Sequence, residues 1–198
     1  GARGSFNGNI DHTRKITTVT DTGLDIHRSA DFSGTFTGTI LNAKTGVIAA
    51  GSGIYVDDVG DAFFSGGVTN AGQITAKYSE GIEVKSVAYG ASGTFQGGII
   101  NSGSIAAHTT GMYVYEVGFA SFNGNIVNSG KIVSTNADGM FVSSVAAGPD
   151  ATFTGSIVNT GSIAAYDTGI HIRNVGDAFV GGITNSGAIS VTSAYGLY

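Results

Sequence analysis

The acidic residues best spaced for acid–base chemistry are Glu80 and Asp138, which lie 58 residues apart. Each directly precedes a Gly that opens an apolar segment, and Thr110 occupies the equivalent position between them. If the chain stacks in repeats, two repeats would separate the carboxyl groups by roughly 9.6 Å. Inverting glycosidases use a similar separation. Polysaccharide cleavage is therefore one hypothesis, and solvated turn acids are the simpler interpretation.

A second chemically informative set is aromatic and recurs at one repeat position. We call it the aromatic strip, and its members are Tyr55, Tyr113, Tyr115, Phe141 and His171. Aromatic side chains in register on an exposed strand face can form a flat platform for a sugar ring or a partner protein. The same rings can instead stabilise the sheet by stacking on one another. Both interpretations stay open at this level.

Other chemistry has little support in the sequence. The four histidines, His12, His27, His108 and His171, fall at different repeat positions, so no metal site is predicted. No nucleotide-binding or nucleophile motif occurs, so no cofactor is expected. The net charge of −5 argues against nucleic acid as a partner. No apolar run is long enough to span a bilayer, so membrane insertion of this segment is not expected.

These side chains must be positioned by a repeat that returns about seven times. Its consensus is Phe-x-Gly-x-Ile-x-Asn-x-Gly-x-Ile, followed after several residues by Gly, two alternating apolar residues and a Val. Fixed-period self-similarity is typical of stacked repeat proteins. The opening Phe residues are Phe6, Phe36, Phe64, Phe95, Phe122, Phe153 and Phe179.

The repeats alternate in length. Successive Phe residues are 30, 28, 31, 27, 31 and 26 positions apart, which indicates a double repeat of about 58 residues. The additional residues lie before Phe36, Phe95 and Phe153, where the short copies have only a compact Gly-containing turn. Duplication of a two-copy unit explains this alternation.

The two-residue alternation within Phe-x-Gly-x-Ile is strand periodicity. Phe and Ile are predicted to face inward, with Gly leaving room for the ring, and polar x residues to face outward. Three short strands per copy predict an all-β fold, a right-handed parallel β-helix with three sides and about seven coils of 26–31 residues. Stacked at strand spacing, it would form a rod of roughly 34 Å. All of residues 1–198 belong to this single β-helix segment, which is expected to be part of a longer repeat protein.

The Asn of each repeat is predicted to form a structural ladder. Identical amides stacked at strand spacing can bond to one another along the rod. The residues are Asn42, Asn70, Asn101, Asn128, Asn159 and Asn185. The first copy departs from this pattern, because His12 and Arg14 replace the Asn and the Gly.

Copies such as FQGGIINSGSIAAHTTGMYV and FTGSIVNTGSIAAYDTGIHI resemble the Asn-x-Gly-x-Ile β-strand repeats of bacterial autotransporter passengers and related large secreted β-helical surface proteins. The resemblance extends from Phe6 to Tyr198. It implies export to the bacterial cell surface and a role as an adhesin or stalk that contributes to virulence. The translocator barrel and the serine-protease domain that occur in this group are not in the sequence.

The leading functional expectation is a non-enzymatic, extracellular structural or adhesive rod. Its partners would be a protein or glycan on a host or neighbouring cell, or further copies of itself. One alternative is a self-assembling filament or matrix subunit, because strand edges at the two ends would be unpaired. The other is a carbohydrate-active β-helix enzyme using Glu80 and Asp138.

Overall fold

The computed structural model describes residues 4–28 and 34–198, and every regular element in these ranges is a β-strand. The strands form three parallel sheets that follow one another around each turn. The chain completes about six turns, and the sheets form the three sides of a β-helix. In these ranges no helix has the length and apolar character needed to cross a membrane.

The first sheet begins each coil and contains eleven strands, because the strand is continuous in three coils and divided near its Gly in the other four. Its strands are Ser5–Asn7, Ile10–His12, Thr35–Asn42, Phe63–Asn70, Thr94–Asn101, Ser121–Asn123, Ile126–Asn128, Thr152–Phe153, Ile157–Asn159, Ala178–Phe179 and Ile183–Asn185. The second sheet has seven strands: Lys15–Thr17, Val47–Ala50, Gln73–Ala76, Ser104–Ala107, Lys131–Ser134, Ser162–Ala165 and Ala188–Val191. The third sheet has six: Thr22–His27, Ser52–Asp57, Ile82–Val87, Met112–Val117, Met140–Val145 and Ile170–Val175.

Equivalent residues of successive coils pair directly. Phe64 pairs with Phe95, Ile74 with Ile105, and so on along all three sheets. The predicted three-sided parallel β-helix is therefore confirmed, while its right-handed sense stays a prediction. The seventh copy contributes to the first two sheets, and its third strand is represented only by a bridge between Leu197 and Ile170.

The core contains a continuous column of Phe rings. Neighbouring ring centroids lie 4.7–4.9 Å apart, and the five inner rings are fully buried. Phe6 and Phe179, in the end coils, are partly buried. Most neighbouring rings are nearly parallel, but Phe122 and Phe153 meet at 74°. The inward direction predicted for the Phe residues is what the structure shows.

The Gly between Phe and Ile has a different role from the predicted one. A Cβ added to Gly38, Gly66 or Gly124 would overlap the backbone of the equivalent residue in the preceding coil rather than the Phe ring. The prediction that this Gly makes room for the ring therefore missed the main constraint, although at Gly155 the added Cβ would also lie 3.1 Å from the Phe153 ring. The residue is small because two backbones approach each other closely at this point.

A buried ladder of amides runs beside the Phe column. The side-chain Nδ2 of each ladder Asn donates to Oδ1 of the next, over 2.7–2.8 Å. Asn42 to Asn159 are fully buried in this ladder. At the N-terminal end His12 pairs in register with Asn42, and both His12 Nε2 and Asn42 Oδ1 are buried without a hydrogen-bond partner. The ladder is thus continuous from Asn42 to Asn185 and ends where the sequence departs from the repeat.

The corner after the third sheet has one left-handed residue in six coils and, in the five coils where the residues that follow are described, a second one. The first has a positive φ without being Gly, at Arg28, Asp58, Ser86, Glu116, Ser144 and Asn174. The second follows the anchoring Val: in short coils it is a Gly, such as Gly118 at φ 64°, and in long coils an Ala, such as Ala88 at φ 51°. A Cβ on Gly118 would overlap the carbonyl oxygen of Ser121, so the compact turn requires Gly.

The longer loops run in a wider path from this corner to the next Phe. Residues 88–93 and 146–151 form two of them, and Tyr89 of the first packs edge-on against Phe119, with ring centroids 5.2 Å apart. Residues 29–33 of the long loop predicted before Phe36 lie outside the described residues. The alternation in repeat length therefore places loops of two sizes along one edge of the rod.

Candidate functional site

The outward face of the third sheet brings the aromatic strip into one column. Tyr55 pairs with Glu83, Glu83 with Tyr113, Tyr113 with Phe141, and Phe141 with His171. Tyr115 stands one outward position further along its strand, with its ring centroid 6.0 Å from that of Tyr113. The register predicted for the strip is the one observed.

Two rings of the strip stack on each other instead of lying side by side as a flat platform. Tyr113 and Phe141 are parallel to within 7°, with centroids only 5.1 Å apart. Rings lying flat side by side would have more distant centroids, so these two overlap face to face in an offset stack. Phe141 is consequently buried, with 8% of its surface exposed. Of the two interpretations left open by the sequence, mutual stacking of the rings is what Tyr113 and Phe141 show, because neighbouring coils are close enough for the rings to cover one another.

The C-terminal side of the column is held by a polar network. Nδ1 of His171 lies 3.1 Å from Oδ2 of Asp138, and the backbone N–H of Thr168 donates to Oδ1 of Asp138 over 2.9 Å. The His171 ring meets Phe141 edge-on, with centroids 5.1 Å apart. The guanidinium carbon of Arg173 lies 5.1 Å from the centroid of the Phe141 ring. His171 and Phe141 are therefore fixed by contacts from several sides.

The two candidate catalytic acids are in unlike surroundings. Asp138 is buried, and both of its carboxylate oxygens have partners in the network around His171. Glu80 accepts a hydrogen bond from the neighbouring Ser79 hydroxyl. An acid that protonates a glycosidic oxygen must present its carboxyl group to the substrate. The geometry of Asp138 instead suits a residue that positions His171.

The N-terminal side of the column is acidic. The Tyr55 hydroxyl donates to Oδ2 of Asp57 over 2.7 Å, and Asp57 stands in register beside Lys85. Burial raises the pKa of Glu83 to about 7; the negative charge of Glu80 adds to this effect and Lys85 opposes it. Burial and the hydrogen bond to Asp57 also raise the pKa of Tyr55. The pKa values of the Tyr55 phenol and the Glu83 carboxyl group are therefore both raised on this side of the column.

The tyrosines further along the face feel the same charges. Burial and then the charge of Glu83 raise the pKa of Tyr113. The pKa of Tyr115 is raised chiefly by its hydrogen bond to Glu116. Both phenols therefore stay neutral and remain hydrogen-bond donors over the physiological pH range.

The histidines do not converge on a metal site. In the described ranges no group of three or more His, Cys, Asp or Glu side chains is arranged to hold a metal ion. His27 pairs with Asp25 over 2.7 Å, and Nε2 of His108 lies 2.9 Å from Nδ2 of Asn136. These two contacts lie in different coils.

Three features of this site were not predicted from the sequence: Glu83 as a half-buried acid, the Asp138–His171 pair, and Arg173 over a ring. The column position of Glu83 was visible from the repeat, but its half-burial depends on the tyrosines that flank it. No protein-family model, curated protein or solved structure was found to match this chain.

Proposed function

We propose that this chain is a non-enzymatic structural and adhesive rod of the passenger type, displayed on a bacterial cell surface or secreted from it. Its scaffold is the Phe column and the Asn ladder, and its binding surface is the outward face of the third sheet. The partner is a protein or a glycan on a host or neighbouring cell. The resemblance to autotransporter repeats supports the proposed localisation.

The proposal rests on the outward-facing aromatic side chains of the strands, which lie mainly on the third sheet; Phe63 of the first sheet is an exception, and exposed tyrosines such as Tyr78 and Tyr166 lie outside the strands. The second sheet has no aromatic residue in any of its seven strands. The first sheet directs its repeat Phe residues into the core. Aromatic residues are enriched where proteins recognise partners, because they bury a large area at low cost in conformational entropy.

The enzymatic alternative has weaker support. Both carboxylate oxygens of Asp138 have hydrogen-bond partners within the protein. Glu80 lies two coils earlier, where its charge acts on Glu83. The filament alternative remains a prediction, since it concerns the ends of the rod. Size-exclusion chromatography and electron microscopy test it directly, because a monodisperse monomer would contradict self-assembly.

A combined binding and turnover screen tests the proposed function. The labelled protein is applied to a glycan array and to a panel of bacterial and epithelial cells, and each bound polysaccharide is then incubated with the protein and analysed for shortened products. We expect saturable binding with no cleavage. Cleavage that disappears in Glu80→Gln or Asp138→Asn would show that the protein is an enzyme. The absence of binding to any surface would contradict adhesion.

A further inference from the structure

We propose that the slot between Tyr55 and Tyr113, with Glu83 at its base, binds the guanidinium group of an arginine on a partner protein. The inference rests on the proposed function and names the chemistry of its ligand. Aromatic rings flanking a carboxylate are complementary to a planar cation, which can lie against the rings while its N–H groups bond to the acid.

The slot is formed by the coil between Tyr55 and Tyr113, which has an acid in place of a ring. Tyr55, Glu83 and Tyr113 are consecutive in register, so the two tyrosines are separated by roughly 9.6 Å, two strand spacings. Tyr113 has one ring face against Phe141, so its opposite face is directed towards the coil of Glu83. At this place a coil without a ring has a tyrosine in the coil on either side.

The charge around the slot selects a cation. Glu83 lies at its base, and the charges of Glu80 and Asp57 both act on Glu83. Oδ1 of Asp57 is buried without a hydrogen-bond partner, while Oδ2 accepts the Tyr55 hydroxyl. Lys85 is the positively charged residue that acts on Glu83. It is outnumbered by the three acids at this place, Glu83, Glu80 and Asp57. An incoming positive charge would therefore be attracted to this part of the face.

The same face already holds one guanidinium on an aromatic ring. The guanidinium carbon of Arg173 lies 5.1 Å from the centroid of the Phe141 ring, and Phe141 is two coils beyond Glu83. This internal contact shows that the spacing of the third sheet suits a guanidinium above a ring. Arginine is favoured over lysine because its planar group can stack on a ring and make two parallel bonds to one carboxylate.

A titration with short peptides tests the inference. The probe is acetyl-Gly-Arg-Gly-amide, compared with the same peptide carrying lysine or citrulline, and binding is followed by NMR of protein labelled at the tyrosine rings. We expect saturable shifts of the Tyr55 and Tyr113 resonances with the arginine peptide. The affinity should be at least threefold lower for lysine, and citrulline, which lacks the charge, should not saturate.

Two variants remove the same amount of charge at different places. Glu83→Gln should weaken binding of the arginine peptide at least fivefold, whereas Asp167→Asn, on an exposed loop residue, should leave it unchanged. Equal effects of the two variants would indicate only long-range attraction and would overturn the inference. So would a titration of the folded wild-type protein in which the Tyr55 and Tyr113 resonances do not move.

The pH dependence gives an independent readout. The groups that face Glu83 are Tyr55, Asp57, Glu80, Lys85 and Tyr113. Because the cation favours the ionised carboxylate, affinity for the arginine peptide should fall as the pH is lowered from 8 to 6 in the wild type and stay flat in Glu83→Gln. Flat behaviour in both would contradict the assignment. If cell or glycan binding persists in Glu83→Gln but requires Tyr113, the adhesive function stands and the guanidinium site fails.

Discussion

Tyr113 and Phe141 lie in adjacent coils with their rings parallel to within 7° and their centroids 5.1 Å apart. This stack divides the third sheet into two regions with different chemistry. On its C-terminal side, rings and the Asp138–His171 pair cover one another. On its N-terminal side the second face of the Tyr113 ring is directed towards the coil that carries Glu83. The binding site that we propose therefore lies on the N-terminal side of Tyr113.

The Asn ladder predicts a strong position dependence of stability. Asn101→Ala would leave Asn70 Nδ2 without its acceptor and Asn128 Oδ1 without its donor, both in the buried interior. We expect the free energy of unfolding to fall by about 2–4 kcal/mol. Urea denaturation measures the change.

The matched control for the ladder is Asn185→Ala. Asn185 accepts one ladder bond from Asn159 and is exposed, so the loss should be no more than about 1 kcal/mol. Equal losses at Asn101 and Asn185 would mean that the interior of the ladder contributes nothing beyond a single exposed bond.

At the corner after the third sheet, we expect Ala to be tolerated in long coils and not in short coils. Gly118→Ala should destabilise the protein by roughly 2–3 kcal/mol, because it adds left-handed strain and a contact with the Ser121 carbonyl. Ala88→Gly should change stability by less than about 0.5 kcal/mol, because relief of the strain offsets the lost methyl burial and the added backbone entropy. Thermal and urea unfolding of both variants give the comparison. Similar penalties for the two would show that loop length does not determine the residue at this corner.

The raised pKa of Glu83 predicts a stability that depends on pH. The folded pKa of about 7 lies above the ordinary value of 4.5, so the folded state binds the proton more tightly. Its contribution is fully present below about pH 4.5 and is lost as the pH rises through 7. Glu83→Gln, which cannot ionise, should therefore stabilise the protein at pH 8 by roughly 1 kcal/mol, after allowance for solvent screening of a half-exposed group.

The pH series carries its own control. At pH 4 the gain of Glu83→Gln over the wild type should vanish, because Glu83 is then protonated in both the folded and the unfolded chain. A gain of the same size at pH 4 and pH 8 would indicate better packing of the amide rather than removal of a buried charge.

Most of the scaffold could be predicted from the repeat. Period-two alternation placed Phe95 inward, and the recurrence of Asn101 predicted the amide ladder, because identical residues in register must meet their equivalents one coil away. The orientation of side chains across coils could not be predicted. The overlap of Tyr113 with Phe141 and the contact of Asp138 with His171 depend on rotamers and on neighbouring strands, which repeat spacing does not specify. The backbone approach that requires Gly38 was likewise hidden, since a space-making Gly and a close-contact Gly look the same in sequence.

We propose the third sheet as the binding surface. Binding isotherms of wild type and variants, measured side by side on one responsive cell type or glycan, test this. Tyr113→Ser removes a ring of the aromatic strip, and Tyr166→Ser removes a 48% exposed ring outside the three sheets' strands. Both variants are first shown by circular dichroism to be folded. We predict that Tyr113→Ser lowers the affinity at least tenfold and that Tyr166→Ser leaves it within twofold of the wild type. Unchanged binding by folded Tyr113→Ser, or an equal loss in Tyr166→Ser, would contradict the claim.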